Sequence, residues 1–425
     1  MRIKNNRSLL TAGALSTSLA LLVGCGGSIG DQSNGAGTEG FDYGASQEDV
    51  DEVLADLEPV TLDYQAYASS PNADSAAEAR AMKDAIEERS GGKITINIHW
   101  GESIVSYTEV DSALTDGRLD LAYNIAIYSP AEYPILDNYS KLSHYAEAGP
   151  LTGELVTQAT MTEAAWNDPE FIEEFTSKGQ VPLNLLGSSG NYTLACNSPR
   201  SSAEDWAGTQ IRIGGSAQVP ISESIGASPV SLESGEVFEG LQRGTVDCAW
   251  TNLLVAGETG LLEAAPHVTT LDQARTTSVV NIAHVAGSSF EQLPLPYQQI
   301  IFDVAGVDWL HGQIEGVMRT STQAVQDVQD AGGDFTEPDP QIEEQIFEAQ
   351  EQIVEEMIED DLVDENLPAQ LRENSEKWAE VVEELGYTDD GELSNLDEWY
   401  DPESVDFRPL FERVYEEAAL NHRPS

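Results

Sequence analysis

Apolar and polar residues alternate over 60–68 (VTLDYQAYA), which predicts a strand running into a turn at Ser69-Ser70-Pro71-Asn72. From 73 to 89, alanines with Met82 and Ile86 recur at helical spacing, so a helix is expected, closed by Ser90-Gly91-Gly92. Residues 93–100 (KITINIHW) alternate as a second strand. A helix over 109–114, stopped at Asp116-Gly117, precedes a third strand over 119–127. A short acidic helix over 47–57 comes before them all. Strand and helix in alternation are the signature of a parallel sheet covered by helices.

The theme recurs in the middle of the chain. Strands are expected over 181–186, 192–197, 210–213, 228–232 and 246–250, with helices over 220–225 and 236–243. Beyond Pro294 the pattern turns strongly helical, with long pieces over 297–322 and 341–360 separated by Pro338 and Pro340. The 425 residues exceed what one core usually serves. Two α/β lobes followed by helices imply a hinged clamp, with ligand held in the crevice near the carboxyl ends of strands.

The front of the chain changes the picture of where this clamp works. Arg2, Lys4 and Arg7 precede a run of small and apolar residues over 8–24, too short and weakly apolar to span a membrane stably. It ends in Leu22-Val23-Gly24-Cys25, which resembles the bacterial lipobox, in which the signal is cut before a cysteine that then carries diacylglycerol. The resemblance implies a signal peptide over 1–24 and lipidation at Cys25. Acyl chains contribute roughly 0.8 kcal/mol per buried methylene, enough in combination to hold a soluble domain at a membrane. An ordinary signal peptide with an incidental cysteine is the rival. The Gly-, Ser-, Asn- and acid-rich stretch after Cys25 reads as a flexible acidic linker over 25–58.

The net charge is −55, from 75 acidic and 20 basic residues. Nucleic acid is excluded as a partner, since phosphate contacts need basic patches. Such self-repulsion is screened by salt, and the excess reads as adaptation to a saline or alkaline exterior. An acidic C-terminal segment that binds a cation or partner is the alternative. Neither CxxC nor HExxH occurs, and the six histidines are scattered, so no metal or cofactor is expected. Cys196 and Cys248 are candidates for a disulfide in an exported protein, although spacing does not establish proximity.

The stretch WAGTQIRIGGSAQVPISESIGASPVSLESGEVFEGLQRGTVD, 206–247, resembles the DctP-type receptors of TRAP (tripartite ATP-independent periplasmic) transporters. The pieces that carry it are Gly208, Ile211-Arg212, Gly226-Ala227-Ser228-Pro229-Val230, Glu236-Val237-Phe238, Leu241-Gln242-Arg243-Gly244 and Val246-Asp247. Ser90-Gly91-Gly92-Lys93, Gly117-Arg118-Leu119-Asp120 and Leu293-Pro294 extend it over about 61–326, and as an ordered set they are specific. It implies an α/β, two-lobe periplasmic-binding-protein-like clamp with a hinge and long C-terminal helices. Lobe I is expected over 59–190 plus 276–314. Lobe II is expected over 191–275 plus 315–425, its acidic helical extension packed on it. Implied partners are a small carboxylate, integral-membrane transporter subunits and, through the lipid, the membrane.

In that family the arginine after the short strand clamps a substrate carboxylate, and Arg212 stands there. A planar guanidinium gives two parallel hydrogen bonds to a carboxylate; the rival is a structural pair with Asp205. A second family arginine is replaced here by Tyr192 in Gly190-Asn191-Tyr192, which favours a monocarboxylate or a polar neutral ligand. Trp250 is a candidate stacking surface or a core residue. Tyr67, Asn72, Asn124, Asn191 and Asn252 are further wall candidates, offering neutral donors, although each alone is more often a turn or packing residue. A receptor for an ATP-driven importer and a lipid-anchored hydrolase are the competing functions; no Gly-x-Ser-x-Gly elbow supports the latter.

Overall fold

The computed structural model describes residues 39–146, 148–271 and 280–425. Cys25, the expected signal peptide and residues 25–38 of the expected linker lie outside them. The rest of that stretch, 39–58, is not a free linker, since it forms a helix over Gln47–Leu54 and buries Phe41, Val50, Leu54 and Leu57 in the core.

Two sheets organise the described chain. The first holds β1 (Val60–Ala66), β2 (Ile94–Trp100), β3 (Leu121–Asn124) and β4 (Val181–Ser188), joined late by β10 (Val280–Ala286). The second holds β5 (Tyr192–Cys196), β6 (Gln210–Ile213), β7 (Ser228–Ser231), β8 (Cys248–Asn252), β9 (His267–Thr269) and β11 (Asp334–Thr336). Their strand orders are β2-β1-β3-β10-β4 and β11-β9-β5-β8-β6-β7. The expected β-α-β-α-β unit forms through β3, but the first sheet is mixed. β10 runs antiparallel to both β3 and β4.

The helices are α1 (Gln47–Leu54), α2 (Ala77–Arg89), α3 (Val110–Asp116), α4 (Pro134–Ser140), α5 (Thr152–Trp166), α6 (Pro169–Thr176), α7 (Ala203–Trp206), α8 (Gln218–Ser224), α9 (Val237–Gln242) and α10 (Leu253–Glu258). After them come α11 (Leu295–Val304), α12 (Leu310–Asp330), α13 (Pro340–Glu359), α14 (Leu367–Glu384), α15 (Leu396–Trp399) and α16 (Arg408–Val414). A π-turn over Ala305–Trp309 links α11 to α12, so the helix expected over 297–322 is one rod with a bulge. That rod packs on α2 of the first lobe and α10 of the second, and so acts as the spine between them. The chain first crosses between the sheets at Ser189-Gly190-Asn191. Gly190 has φ +95°, and a Cβ there would meet Val317 Cγ1 of α12 at 3.1 Å, so glycine is required twice over.

The acidic tail divides between the lobes, where packing on the second was expected. Ile342, Ile346 and Ala349 of α13 do join the second-lobe core. α14 instead packs on α5, and α16 on the π-turn of the first lobe. The reason lies in α5, which is buried nearly all round and needs cover that Leu371, Trp378 and Val382 of α14 supply. Arg423 locks the end of the tail, its Nε and Nη2 donating to the Asp303 carboxylate at 2.7 and 2.9 Å. Among the described residues no helix is long and apolar enough to cross a membrane.

Cys196 and Cys248 face each other across the antiparallel β5–β8 pair and are joined as a disulfide. The exported, unreduced protein should therefore show no alkylatable thiol at either position, and two after reduction. Two reactive thiols before reduction would contradict the bond.

Candidate functional site

Strand alternation decides what reaches the space between the sheets. On β6, Ile211 and Ile213 enter the second-lobe core, which turns Arg212 to the opposite face. There it lines a cavity of about 60 Å³. The first lobe contributes Tyr67 after β1, Tyr123 of β3, and Tyr107 and Tyr128 from single 3₁₀ turns. The second contributes Tyr192, Thr251, Asn252 and the backbone of Gly214-Gly215.

Arg212 is only 4% exposed. Its Nε donates to Leu232 O at 3.0 Å and its Nη1 to Trp250 O at 3.2 Å. Gly214 leaves the space the guanidinium fills, since a Cβ there would stand 2.9 Å from Nη1. No carboxylate pairs with Arg212 among the described residues. The rival partner, Asp205, is engaged elsewhere: it caps α7, accepting from Ser202 N at 2.9 Å and Ser202 Oγ at 2.7 Å. Those bonds, the Ser202 backbone N–H first, hold its carboxyl below the usual range. A buried cation with only carbonyls for company is costly until an anion arrives.

Four of the sequence candidates meet in this cavity: Arg212, Tyr192, Tyr67 and Asn252. Asn252 also caps α10, its Oδ1 accepting from Val255 N at 2.8 Å. The other four do not line it. Trp250 shares the face of β8 that carries Cys248, lies in the second-lobe core, and donates from Nε1 to Ser222 Oγ at 2.9 Å. Of the two readings left open for Trp250, stacking surface or core residue, this position fits the core one, apart from the carbonyl that meets Arg212. Asn124 follows Tyr123 on β3 and so faces the other way, donating to Asp111 Oδ1 at 3.2 Å. Asn72 sits exposed in its turn. Asn191 donates to Gly149 O at 3.1 Å beside a separate small cavity near Pro150 and Met318.

Sequence reasoning missed Tyr107, Tyr123, Tyr128, Thr251 and Asn281. Parity against Asn124 would have found Tyr123; Tyr107 and Tyr128, in 3₁₀ turns of three residues, carry no periodic signal. Burial pushes the Tyr67 and Tyr123 phenols well above their ordinary range, so at neutral pH they are uncharged hydrogen-bonding groups. Burial also raises Tyr192, while neighbouring Arg212 pulls it the other way.

Polar contacts join the lobes beside the cavity. Ser216 Oγ donates to Asp137 Oδ1 at 3.2 Å, and Asp137 pairs with Lys141 at 2.7 Å. Below them His144 Nδ1 donates to Lys141 O at 3.1 Å, and Nε2 faces Glu351 Oε1 of α13, also at 3.1 Å. Both ring nitrogens therefore lie within hydrogen-bond distance of oxygen atoms. Glu351 is partly exposed, so the pair contributes about 0.5–1 kcal/mol. Glu351→Gln is expected to speed ligand release about two- to five-fold by stopped-flow fluorescence; an unchanged rate would remove these contacts from the closing mechanism.

Two lobes around a spine, with a desolvated guanidinium between them, define a ligand-binding clamp. Residues 66–361 match the family model of DctP, bacterial extracellular solute-binding protein family 7, and the chain belongs to that family. A curated solute-binding protein of Albidiferax ferrireducens is 25% identical over 221 residues, covering 52% of this chain. The chain spans 62% of that relative's length and 33% of that of another, from Sinorhizobium fredii. A solved marine-metagenome TRAP solute-binding protein specific for aromatic acid ligands, from an unidentified microbe, is 17% identical with a TM-score of 0.62, over 76% of this chain and 99% of its own. The periplasmic ectoine-binding protein of a Halomonas elongata TRAP transporter is 19% identical with a TM-score of 0.61, over 76% of this chain and 100% of its own. At such identities the likeness concerns the fold. α14 to α16 lie beyond the residues the family model matches.

Proposed function

We propose that the chain is a lipid-anchored extracytoplasmic receptor that captures a small organic acid between its lobes and delivers it to a TRAP-type secondary transporter. One observation carries the reading. In a protein of net charge −55, a buried arginine faces the interlobe cavity with no carboxylate beside it among the described residues. An anionic ligand supplies the missing charge, and its contacts with both lobes favour the closed arrangement. Of the solved relatives named above, one is specific for aromatic acid ligands and the other binds ectoine for a TRAP transporter. The anchor rests on Leu22-Val23-Gly24-Cys25, outside the described residues.

Native mass spectrometry of the exported protein tests both parts. A mature chain beginning at Cys25 with diacylglycerol on its sulfur is expected, together with one organic acid bound per chain and recovered chemically unchanged. Turnover of the bound acid would favour a hydrolase, and an unmodified Cys25 would remove the anchor.

A further inference from the structure

We infer that the C-terminal extension braces the hinge from behind, with Leu393 as a positioning residue that fills the side of the lobe crossing turned away from the ligand cavity and so opposes opening of the clamp. The inference rests on the clamp reading and goes further, because it gives a task to residues after 361, which lie outside the family match.

Contacts seat the extension at the crossing. After α14 the chain turns back, and the Asp389 carboxylate caps the first turn of α5. Its Oδ1 accepts from Leu151 N at 2.8 Å and Thr152 N at 3.1 Å, and its Oδ2 from Thr152 Oγ1 at 2.5 Å. Gly149 lies against the same carboxylate, since a Cβ there would stand 2.7 Å from Asp389 Oδ2. The Gly149 carbonyl in turn accepts from Asn191 Nδ2 at 3.1 Å, and Asn191 ends the crossing. A short path of contacts therefore runs from the extension to the hinge.

Leu393, further along that loop and partly buried against the core, lines the small cavity with Pro150, Asn191, Leu253, Val317 and Met318. Strand parity places this cavity behind the crossing. Tyr192 and Asn252, opposed in the β5–β8 register, line the ligand cavity, whereas their chain neighbours Asn191 and Leu253 line the small one. Its volume of about 10 Å³ is at the lower limit for one water, so the space is already filled. When two lobes swing apart about a crossing, the gap widens on the ligand side and narrows on the other. A close-packed joint resists that compression. α15, which follows Leu393, packs on α12, so the brace holds the spine as well as the crossing. Opening is thereby penalised, and more of the ligand-free protein waits in the closed arrangement.

Small-angle X-ray scattering and hydrogen exchange on the exported protein, freed of small molecules by dialysis, test this. Neither readout uses a ligand, so the result does not depend on the cargo being an organic acid. Leu393→Ala should raise the radius of gyration and speed exchange of the 189–193 amides about three- to tenfold. Leu393→Met, of similar volume, should match the wild type. Asp389→Asn, which loosens the loop and leaves the cavity lining untouched, should shift both readouts the same way, and it stands in if Leu393→Ala does not fold. Wild-type scattering and exchange in Leu393→Ala overturn the brace. So does a lower melting temperature at the wild-type radius, which would make Leu393 a merely structural residue, and so does Leu393→Met opening as far as Leu393→Ala. The receptor reading fails separately, if no organic acid is found on the exported protein.

Discussion

Replacing Arg212 by alanine should weaken carboxylate binding by about 2–5 kcal/mol, roughly 30- to 5,000-fold in Kd, since the ligand's charge is then buried without a partner. Arg212→Lys should recover only part of this. Lysine restores a charge but cannot hold Leu232 O, Trp250 O and a carboxylate from one planar fork. The order wild type, lysine, alanine separates a ligand clamp from a structural residue. A structural residue would lower the melting temperature of both variants and leave the affinity of the folded fraction intact. Titration calorimetry on variants with an unchanged circular dichroism spectrum reads the difference. Alanine at wild-type affinity would place the carboxylate elsewhere.

What was legible in the sequence follows from how many neighbours each element has. β1, β2 and α2 each keep one solvated face, so their periodicity is written in the chain. β10 is buried on both faces and carries no alternation, and the strand was not foreseen. α5 fails the same way: wrapped by β4 and α14, it has almost no solvated face, and its buried Glu154, Thr157, Gln158, Thr160 and Thr162 blur the separation of polar from apolar positions that marks a helical period. In the site, Arg212 was legible because its strand is flanked by family-like glycines and its neighbours on β6 are both isoleucine. Trp250 was not, because its role depends on β8 keeping Cys248 and Trp250 on one face toward α8. That parity is fixed only once the β5–β8 register is known.

Glu78→Gln should flatten the pH dependence of stability and make the protein more stable than wild type at pH 8. Glu78 lies in the first turn of α2, is 1% exposed, and accepts from Tyr64 Oη at 3.2 Å. Burial pushes its carboxyl from 4.5 to about 8, against the pull of the Tyr64 hydroxyl, the Tyr67 backbone N–H and the Arg80 charge. Below pH 4.5 folded and unfolded chains both hold the proton, and the group leaves stability unchanged. Between 4.5 and about 8 the unfolded chain releases a proton that the folded chain keeps, so stability falls as pH rises. Across the window the loss is on the order of 4 kcal/mol, and it levels off once the folded carboxyl ionises. Glutamine has the same shape, keeps an acceptor for Tyr64 and releases no proton, so its advantage should grow from pH 5 to pH 8. Urea unfolding at pH 5, 6.5 and 8 measures that difference, in which all other titrating groups cancel. The consequence reaches the site, because Tyr64 also receives the Trp309 indole, and Trp309 backs Tyr123 in the cavity wall. Ionising Glu78 charges the layer directly beneath that wall, so the wild-type protein should also lose affinity for the organic acid it binds towards pH 8 while the glutamine variant does not. Parallel stability curves for the two proteins would show that Glu78 is already ionised in the folded chain, and the proton-holding role would have to be given up.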